Sequence, residues 1–230
     1  MSKGKLEKFK EITAFRNTLE LTDFQEEESQ KPKGRWHSDI FENDNPIVLE
    51  LACGKGAYTV ELARRYPDKN FVGVDIKGDR IWKGAKQAVT EGLSNVCFLR
   101  IYIDHLDEYF ASNEVDDIWI TFPDPYPRYS DRNNRLSGPK FLKIYQRVLK
   151  SDGTIHFKTD SDELFSFTKE SLAKSDCKVH DVVENIYQEC PDNKLLTIQT
   201  HYEAHYLQEG RSISFIKFSL PNEDISWELD

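Results

Sequence analysis

The sequence lacks any run of about 18 apolar residues, the length that a membrane-spanning helix requires, so we expect no membrane span. The opening residues, MSKGKLEKFK, are basic but contain no apolar stretch, which argues against a secretory signal. The 4 cysteines are scattered without a C-x-x-C pair, which argues against a zinc site and a disulfide framework. No metal-ligand spacing is visible either, and a reducing, cytoplasmic setting is expected.

Positive charge is also scarce. The chain has 31 Lys and Arg against 40 Asp and Glu, a formal net charge of −9. A protein that binds nucleic acid needs Lys and Arg for phosphate contacts. Net charge averages over faces that never meet a ligand, so the distribution of charge matters more than the sum.

The length of 230 residues is enough for one large α/β domain with an extra arm. Residues 1–45 show no clean strand alternation, and their basic pieces bracket an acidic stretch at 23–28. We interpret 1–45 as an N-terminal extension, partly ordered at best. Residues 46–220 form the predicted domain, and 221–230 a C-terminal tail.

From Pro46 onward, short apolar runs alternate with longer amphipathic runs, which indicates a mostly parallel sheet with crossover helices. Strands that are apolar on both faces suit the buried position of a parallel sheet. The predicted strands are PIVLELA, NFVGVD, NVCFLRIY, DDIWITF and GTIHFKTD, followed by segments near 178–187 and 212–220. The predicted helices cover 57–66, 79–91, 105–112, 139–150, 162–174 and 194–208.

A glycine turn follows the first predicted strand, with the sequence E-L-A-C-G-K-G from Glu50 to Gly56. A sharp strand-to-helix turn needs Gly where φ is positive or where a ligand approaches the backbone. The dinucleotide pattern G-x-G-x-x-G fails here, because after Gly54 and Gly56 its third Gly falls at Thr59.

Two carboxylates follow the next two strands. Asp75 ends the second strand, roughly 20 residues after the glycine turn, where a carboxylate accepts hydrogen bonds from a ribose diol. Asp104 follows the third strand and could reach an adenine edge. The alternative for each is a loop carboxylate that caps the next helix. The turn and Asp75 together predict a nucleoside-cofactor site without choosing the cofactor.

The fourth strand runs into P-D-P-Y-P-R, which carries Asp124. Ligands of open α/β sheets bind beyond the carboxyl ends of the strands, so Asp124 is expected in the same crevice as Glu50 and Asp75. The flanking prolines restrict the backbone and hold the carboxylate at low entropic cost. The alternative is a rigid Asp-Pro turn.

A basic cluster follows this loop. On the predicted helix 139–150, the apolar residues fall at core-facing spacing and the basic residues share the opposite face, which could track a phosphate backbone. The alternative is a solvated helix face. The cluster comprises Arg128, Arg132, Arg135, Lys140, Lys143, Arg147 and Lys150, opposed over 123–150 by Asp124 and Asp131.

Taken in order, these motifs resemble the tRNA (guanine-N7)-methyltransferases over about residues 46–220. The seven predicted strands are likewise similar to the sheet of Rossmann-like class I methyltransferases, mostly parallel with helices on both faces. The motifs are E-x-x-x-G-x-G at 50–56, G-x-D at 73–75, F-P-D-P-[WY]-P-[KR] at 122–128 with R-L at 135–136, T-D at 159–160 and T-x-Y-E at 200–203.

The resemblance implies S-adenosylmethionine as cofactor and the variable-loop guanosine of tRNA as substrate. The sequence leaves a monomer and a homodimer both open. It implies that Asp124 is the active-site residue. By the same resemblance, Glu50, Gly54, Gly56, Asp75 and Asp104 bind the cofactor, and Arg128, Asp160, Thr200, Tyr202 and Glu203 contact the guanosine or its neighbours.

The chain departs from the family pattern in two places. Ala52 replaces the usual first Gly of the turn, and we expect the turn to tolerate it. Tyr126 replaces the usual Trp, and Tyr129-Ser130-Asp131 and Asn133-Asn134 dilute the family's basic run. We expect the basic N-terminal residues to compensate for this dilution. The alternatives are a methyltransferase of another substrate and a non-catalytic binding or scaffold member of the fold, with a nicotinamide enzyme disfavoured by Thr59.

Overall fold

The computed structural model describes residues 4–20 and 31–229. A turn of π-helix lies at Trp36–Phe41. The strands are β1 (Thr18–Glu20), β2 (Ile47–Leu51), β3 (Asn70–Val74), β4 (Val96–Arg100), β5 (Val115–Thr121), β6 (Leu149–Thr159), β7 (Lys178–Val183) and β8 (Ser214–Ser219). The helices are α1 (Lys5–Ile12), α2 (Ala57–Arg65), α3 (Gly78–Glu91), α4 (Leu106–Tyr109), α5 (Pro139–Val148), α6 (Asp162–Lys174), α7 (Ile186–Glu189) and α8 (His201–Gln208).

The strands form one sheet in the order β1-β4-β3-β2-β5-β6-β8-β7. Strands β1 to β6 pair in parallel, and β8 runs antiparallel between β6 and β7. The α/β fold with a mostly parallel sheet is therefore as predicted, but the prediction of seven strands was one short. The additional strand, β1, comes from the segment before Pro46 and extends the β4 edge, with Thr18 opposite Phe98. Its three residues are too few to produce a readable alternation.

The described part of the N-terminal segment packs on the sheet's flanks. Helix α1 lies against α3, and the Trp36 ring stacks on Phe110 with centroids 4.7 Å apart. The Trp36 indole also donates to the carbonyl of Tyr109 at 2.8 Å. The acidic stretch at 23–28 lies outside the described residues.

Three predicted elements have different bounds in the structure. The predicted helix 194–208 begins only at His201, because Asn193 Oδ1 accepts from the amides of Leu195 and Leu196 in a preceding turn. The predicted strand 178–187 ends at Val183 and is followed by α7. The predicted helix 139–150 ends at Val148, and Lys150 already belongs to β6.

Two hydrophobic clusters cover the two faces of the sheet. The buried strands leave their carboxyl ends, after Leu51, Val74, Arg100 and Thr121, at one edge of the sheet. In the part of the chain that the structure describes, no helix is both long and apolar enough to cross a bilayer.

Candidate active site

A cavity of about 410 Å³ opens at this edge, beyond the carboxyl ends of β2 to β5. Its volume falls in the range of small-molecule sites, about 300–1,000 Å³. Three predicted site residues, Asp75, Asp104 and Asp124, line it together. The sequence analysis had not singled out Lys77 and Arg80, which also line it at the start of α3.

The glycine turn has the left-handed backbone that its sequence predicted. Ala52, Gly54 and Gly56 have φ of 56°, 55° and 66°. A Cβ on Gly56 would lie 2.6 Å from Cζ of Phe98, so this Gly is required for packing of the turn against the sheet. Ala52 borders the cavity. The turn therefore contributes a strained, close-packed wall next to the cavity.

Asp75 links the turn to the next strand. Its Oδ2 accepts from the Gly54 amide at 2.9 Å, and its Oδ1 accepts from the Lys77 amide at 2.8 Å. The side chain is largely buried but borders the cavity. Because each carboxylate oxygen has two lone pairs, Asp75 keeps acceptor capacity toward a ligand's hydroxyl groups.

Glu50 lies beneath the turn, and its carboxylate is engaged on both oxygens. Its Oε2 accepts from the Thr59 amide at 2.8 Å and from the Thr59 hydroxyl. Its Oε1 accepts from the Thr121 hydroxyl at 2.7 Å. Burial raises the pKa of Glu50 to about 7, with the hydrogen bonds opposing that rise. These contacts join α2 and β5 to Glu50 at the end of β2. The predicted cofactor residue Glu50 therefore stabilises the conformation of the turn.

Asp104 lines the cavity from the short turn Ile103–His105. Its carboxylate forms an ion pair with Lys140 of α5. The side chain remains 39% exposed. Asp104 thus keeps access to the cavity, as its predicted contact with an adenine edge requires.

The loop around Asp124 is strained on both sides. Phe122 and Tyr126 have φ of 52° and 44°, a conformation that bulky residues adopt rarely and mainly at functional sites. The Phe122 amide donates to the Lys158 carbonyl at 2.9 Å. The guanidinium of Arg135 donates to the Tyr126 carbonyl from Nη2 at 3.0 Å. The loop is therefore fixed at both ends and holds the exposed Asp124 at the cavity.

Arg135 itself is buried, in contrast to the predicted basic surface. It is 6% exposed, pairs with Glu163 and lies over the ring of Phe167, with its Cζ 4.6 Å from the ring centroid. Its guanidinium therefore stabilises the loop, through Tyr126, and α6, through Glu163. Arg128, by contrast, is exposed on the same loop.

The predicted substrate residues of the C-terminal part have structural partners. Asp160 pairs with Arg211 at 2.7 Å. Thr200 caps α8 by accepting from the Glu203 amide at 3.1 Å. Glu203 is completely buried. The side chain of Tyr202 lies outside the described residues.

Lys158 is the functional-site neighbour that the sequence analysis missed. It is completely buried, and its Nζ lies 3.0 Å from Oε1 of Glu203. The same Nζ donates to the Leu196 carbonyl at 2.6 Å. The signal in the sequence was a lysine inside the apolar run GTIHFKTD, since a buried charge needs a buried partner.

The basic face of α5 is paired with carboxylates. Single ion pairs of this kind contribute little to stability, but they neutralise the face locally. The pairs are Lys140–Asp104, Lys143–Glu228 at 2.9 Å, Arg147–Asp107 at 2.7 Å and, at the start of β6, Lys150–Asp116 at 2.5 Å.

Comparison with known proteins bears on the chemistry of this cavity. Residues 44–216 match a family model described as "Putative methyltransferase". A tRNA (guanine-N(7)-)-methyltransferase of Porphyromonas gingivalis is 48% identical over 88% of this chain and 83% of its own length. The enzyme of the same name from Christiangramia forsetii is 47% identical over 95% of this chain and 99% of its own length.

Among solved structures, the 16S rRNA methyltransferase KamB has a similar fold. Its TM-score is 0.62 at 16% identity, with 79% of this chain and 91% of that chain covered. At this identity the likeness concerns the fold alone. The family model and the sequence relatives point to one class of chemistry, methyl transfer.

Proposed function

This chain belongs to the tRNA (guanine-N(7)-)-methyltransferase family, and from that premise we propose that it transfers a methyl group from S-adenosylmethionine to N7 of a variable-loop guanosine in tRNA. The observation that carries the proposal is the convergence of Asp75, Asp104 and Asp124 on one cavity at the carboxyl edge of the sheet. With tRNA as its substrate, we propose that the enzyme acts in the cytoplasm.

The cavity's donor and acceptor groups fit the proposed cofactor. Asp75 would accept from the ribose hydroxyls and Asp104 from the adenine amino group, since both line the cavity. The turn at Ala52 brings backbone close to the cavity wall. When bound, the cofactor supplies a methyl group activated on a sulfonium. Every other contribution comes from the chain itself.

Guanine N7 carries an in-plane lone pair and no proton, so no residue has to remove a proton from it. Catalysis then depends on alignment of N7 with the methyl carbon, and orientation of this kind supplies roughly 7–11 kcal/mol. The strained backbone at Phe122 and Tyr126 fixes Asp124 before substrate arrives. An ionised Asp124 then stabilises the positive charge that develops on the base, or accepts from its N1–H and N2–H edge.

The position of N7 also constrains the RNA. N7 lies on the major-groove edge, which is deep and narrow in A-form RNA. A side chain at the edge of a sheet therefore requires an unstacked guanosine from a loop. The exposed Arg128, four residues after Asp124, is available to contact its phosphate.

The test uses tritiated S-adenosylmethionine and an unmodified tRNA transcript, with 7-methylguanosine located by borohydride–aniline cleavage. We expect one cleavage site, at the variable-loop guanosine, and none when that nucleotide is replaced. Asp124→Asn should lower kcat by at least about 100-fold, because it removes the charge that stabilises the transition state. Asp131→Asn, in the same segment but absent from the residues that line the cavity, is the matched control and should keep wild-type kcat.

The outcomes separate the proposal from its alternatives. Cofactor binding without methylation of any tRNA transcript would assign the chain another substrate. Absence of both would favour a non-catalytic member of the fold. Methylation by Asp124→Asn at the wild-type rate would show that Asp124 has no role in the reaction.

A further inference from the structure

The basic residues of α5 are paired with carboxylates. The proposed RNA substrate therefore needs other Lys and Arg side chains for its phosphates. Lys143 and Arg147 face Glu228 and Asp107, so a phosphate would have to displace a carboxylate to reach them. A nucleic acid binds mainly through counterion release at cations that are free to face phosphates. Cations that lie away from carboxylates are therefore the candidates for these phosphate contacts.

A basic strip runs along α3 away from the cavity. Lys77 and Arg80 line the cavity, and Lys83 and Lys86 follow at three-residue spacing, which makes successive members neighbours on the helix surface. From Arg80 to Lys86 the helix rises about 9 Å. Lys83 and Lys86 are exposed. No ion pair between these cations and a carboxylate is found among the described residues.

Helix α1 adds a further cation to the strip. The Nζ of Lys8 lies 5.3 Å from the ring centroid of Trp82, and that of Lys86 lies 4.9 Å from the same centroid. The Trp82 indole donates to Glu11 at 2.9 Å, which attaches α3 to α1. The ammonium groups of Lys8 and Lys86 thus both lie next to Trp82, at the contact between α1 and α3.

The acidic residues of the two helices offset the charge of this strip only in part. Glu11 is engaged by Trp82, and Glu91 at the end of α3 pairs with Arg64 at 2.8 Å. Asp79 and Glu7 remain on these helices without an ion pair among the described residues. The strip therefore keeps an excess of positive charge next to the cavity, in a chain whose net charge is −9.

We propose that the basic strip, defined as Lys77, Arg80, Lys83 and Lys86 with Lys8, binds the phosphate backbone of the RNA whose guanosine enters the cavity. This proposal rests on the proposed function for the identity of the RNA. Charge complementarity and continuity with the cavity favour an RNA backbone as the occupant. In this chain the strip would take over the role for which the diluted segment after Arg128 is poorly suited.

The test compares two triple variants that remove equal charge. Lys8→Gln/Lys83→Gln/Lys86→Gln neutralises the outer strip and leaves the cavity-lining Lys77 and Arg80 intact. Lys143→Gln/Arg147→Gln/Lys150→Gln neutralises the paired surface at α5 and is the matched control. Affinity for a labelled tRNA transcript is measured by filter binding from 50 to 300 mM salt, and cofactor affinity by calorimetry. Thermal unfolding checks that both variants are folded.

We expect the strip variant to lose tRNA affinity on the order of 10- to 100-fold at low salt and its log–log salt slope to fall by about 1 for each phosphate contact removed. Its cofactor affinity should equal that of the wild type. The α5 variant should bind tRNA within about twofold of wild type. Equal affinity and equal salt slope for the strip variant and the wild type would overturn the proposal, as would a loss confined to the α5 variant.

Binding and methylation are read separately, so the two proposals can fail independently. Wild-type protein that binds tRNA through the strip but never methylates it would refute the proposed function and support the strip. Wild-type protein that methylates tRNA with no dependence on the strip would support the function and refute the strip.

Discussion

The Nζ of Lys158 lies 3.0 Å from Oε1 of Glu203, and both side chains are completely inaccessible to solvent. Burial lowers the pKa of Lys158 and raises that of Glu203, while their mutual attraction opposes both shifts. The hydroxyl of Tyr187 also donates to Glu203 at 2.9 Å. The pair connects β6 to α8, directly below Phe122, whose ring centroid lies 5.4 Å from Lys158 Nζ.

Removal of one member of this pair should be strongly destabilising. We expect Lys158→Met to lower the free energy of unfolding by about 3–5 kcal/mol, because it leaves the charge of Glu203 buried without its partner. The double variant Lys158→Met/Glu203→Gln should cost less than the sum of the single variants. Urea unfolding of the four proteins in this double-mutant cycle measures the coupling.

The exposed pair Lys169–Glu184, at 3.1 Å, is the control for this cycle. With side chains 43% and 68% exposed, it should yield a coupling of at most about 1 kcal/mol. Additive effects at Lys158 and Glu203 would show that the buried contact contributes no more than the exposed one.

The pH dependence of stability should depend on Glu50. Its folded-state pKa of about 7 lies above the ordinary value of 4.5 for a Glu side chain, so the folded protein binds an extra proton between these values. Stability from this group is complete below pH 4.5 and is lost as pH rises to about 7, by about 3 kcal/mol in all. Glu50→Gln keeps an acceptor for Thr59 and a donor for Thr121, and should lose this pH dependence. Denaturant unfolding at pH 5 and pH 7.5 measures the free energy of unfolding of both proteins. The same change with pH in the wild type and in Glu50→Gln would contradict the assignment.

The sequence predicted the elements whose periodicity or chemistry is local. The buried strands and the glycine turn follow from composition and spacing, and the common crevice of Asp75 and Asp124 follows from the parallel sheet alone. Helix α6 was predicted at its observed bounds, since Ser161 accepts from the Leu164 amide and caps it.

The sequence did not predict the contacts between segments that are distant along the chain. The pairing of Lys158 with Glu203 joins residues 45 positions apart, and the partners of the basic residues on α5 come from unrelated loops. A basic helix face is identical in sequence whether its cations face solvent, RNA or carboxylates. The strand β1 was missed for the same reason, because the edge of β4 rather than its own pattern determines it.

The two glycines of the turn should differ in their tolerance of a side chain. A Cβ on Gly54 meets no atom within 4 Å, so Gly54→Ala should cost about 1 kcal/mol from positive φ alone. Gly56→Ala adds a clash with the buried Phe98 ring and should cost about 2–4 kcal/mol. The added Phe98→Leu substitution should recover part of the second loss, whereas it should not help Gly54→Ala. Thermal unfolding of the variants measures both effects, and equal costs would show that the turn relaxes around the ring.

Ala52 has φ of 56° and borders the cavity. Substitutions at this residue therefore separate the effect of backbone strain from the effect of cavity shape. Ala52→Gly relieves about 1 kcal/mol of backbone strain but gives the unfolded chain more freedom, so its net effect on stability should be within about 0.5 kcal/mol. Ala52→Val places a β-branched residue at positive φ and narrows the cavity, so it should destabilise the protein and weaken cofactor binding together. Calorimetric titration of each variant with S-adenosylhomocysteine, alongside thermal unfolding, measures both quantities. Wild-type affinity in Ala52→Val would mean that the cofactor does not contact this side of the turn.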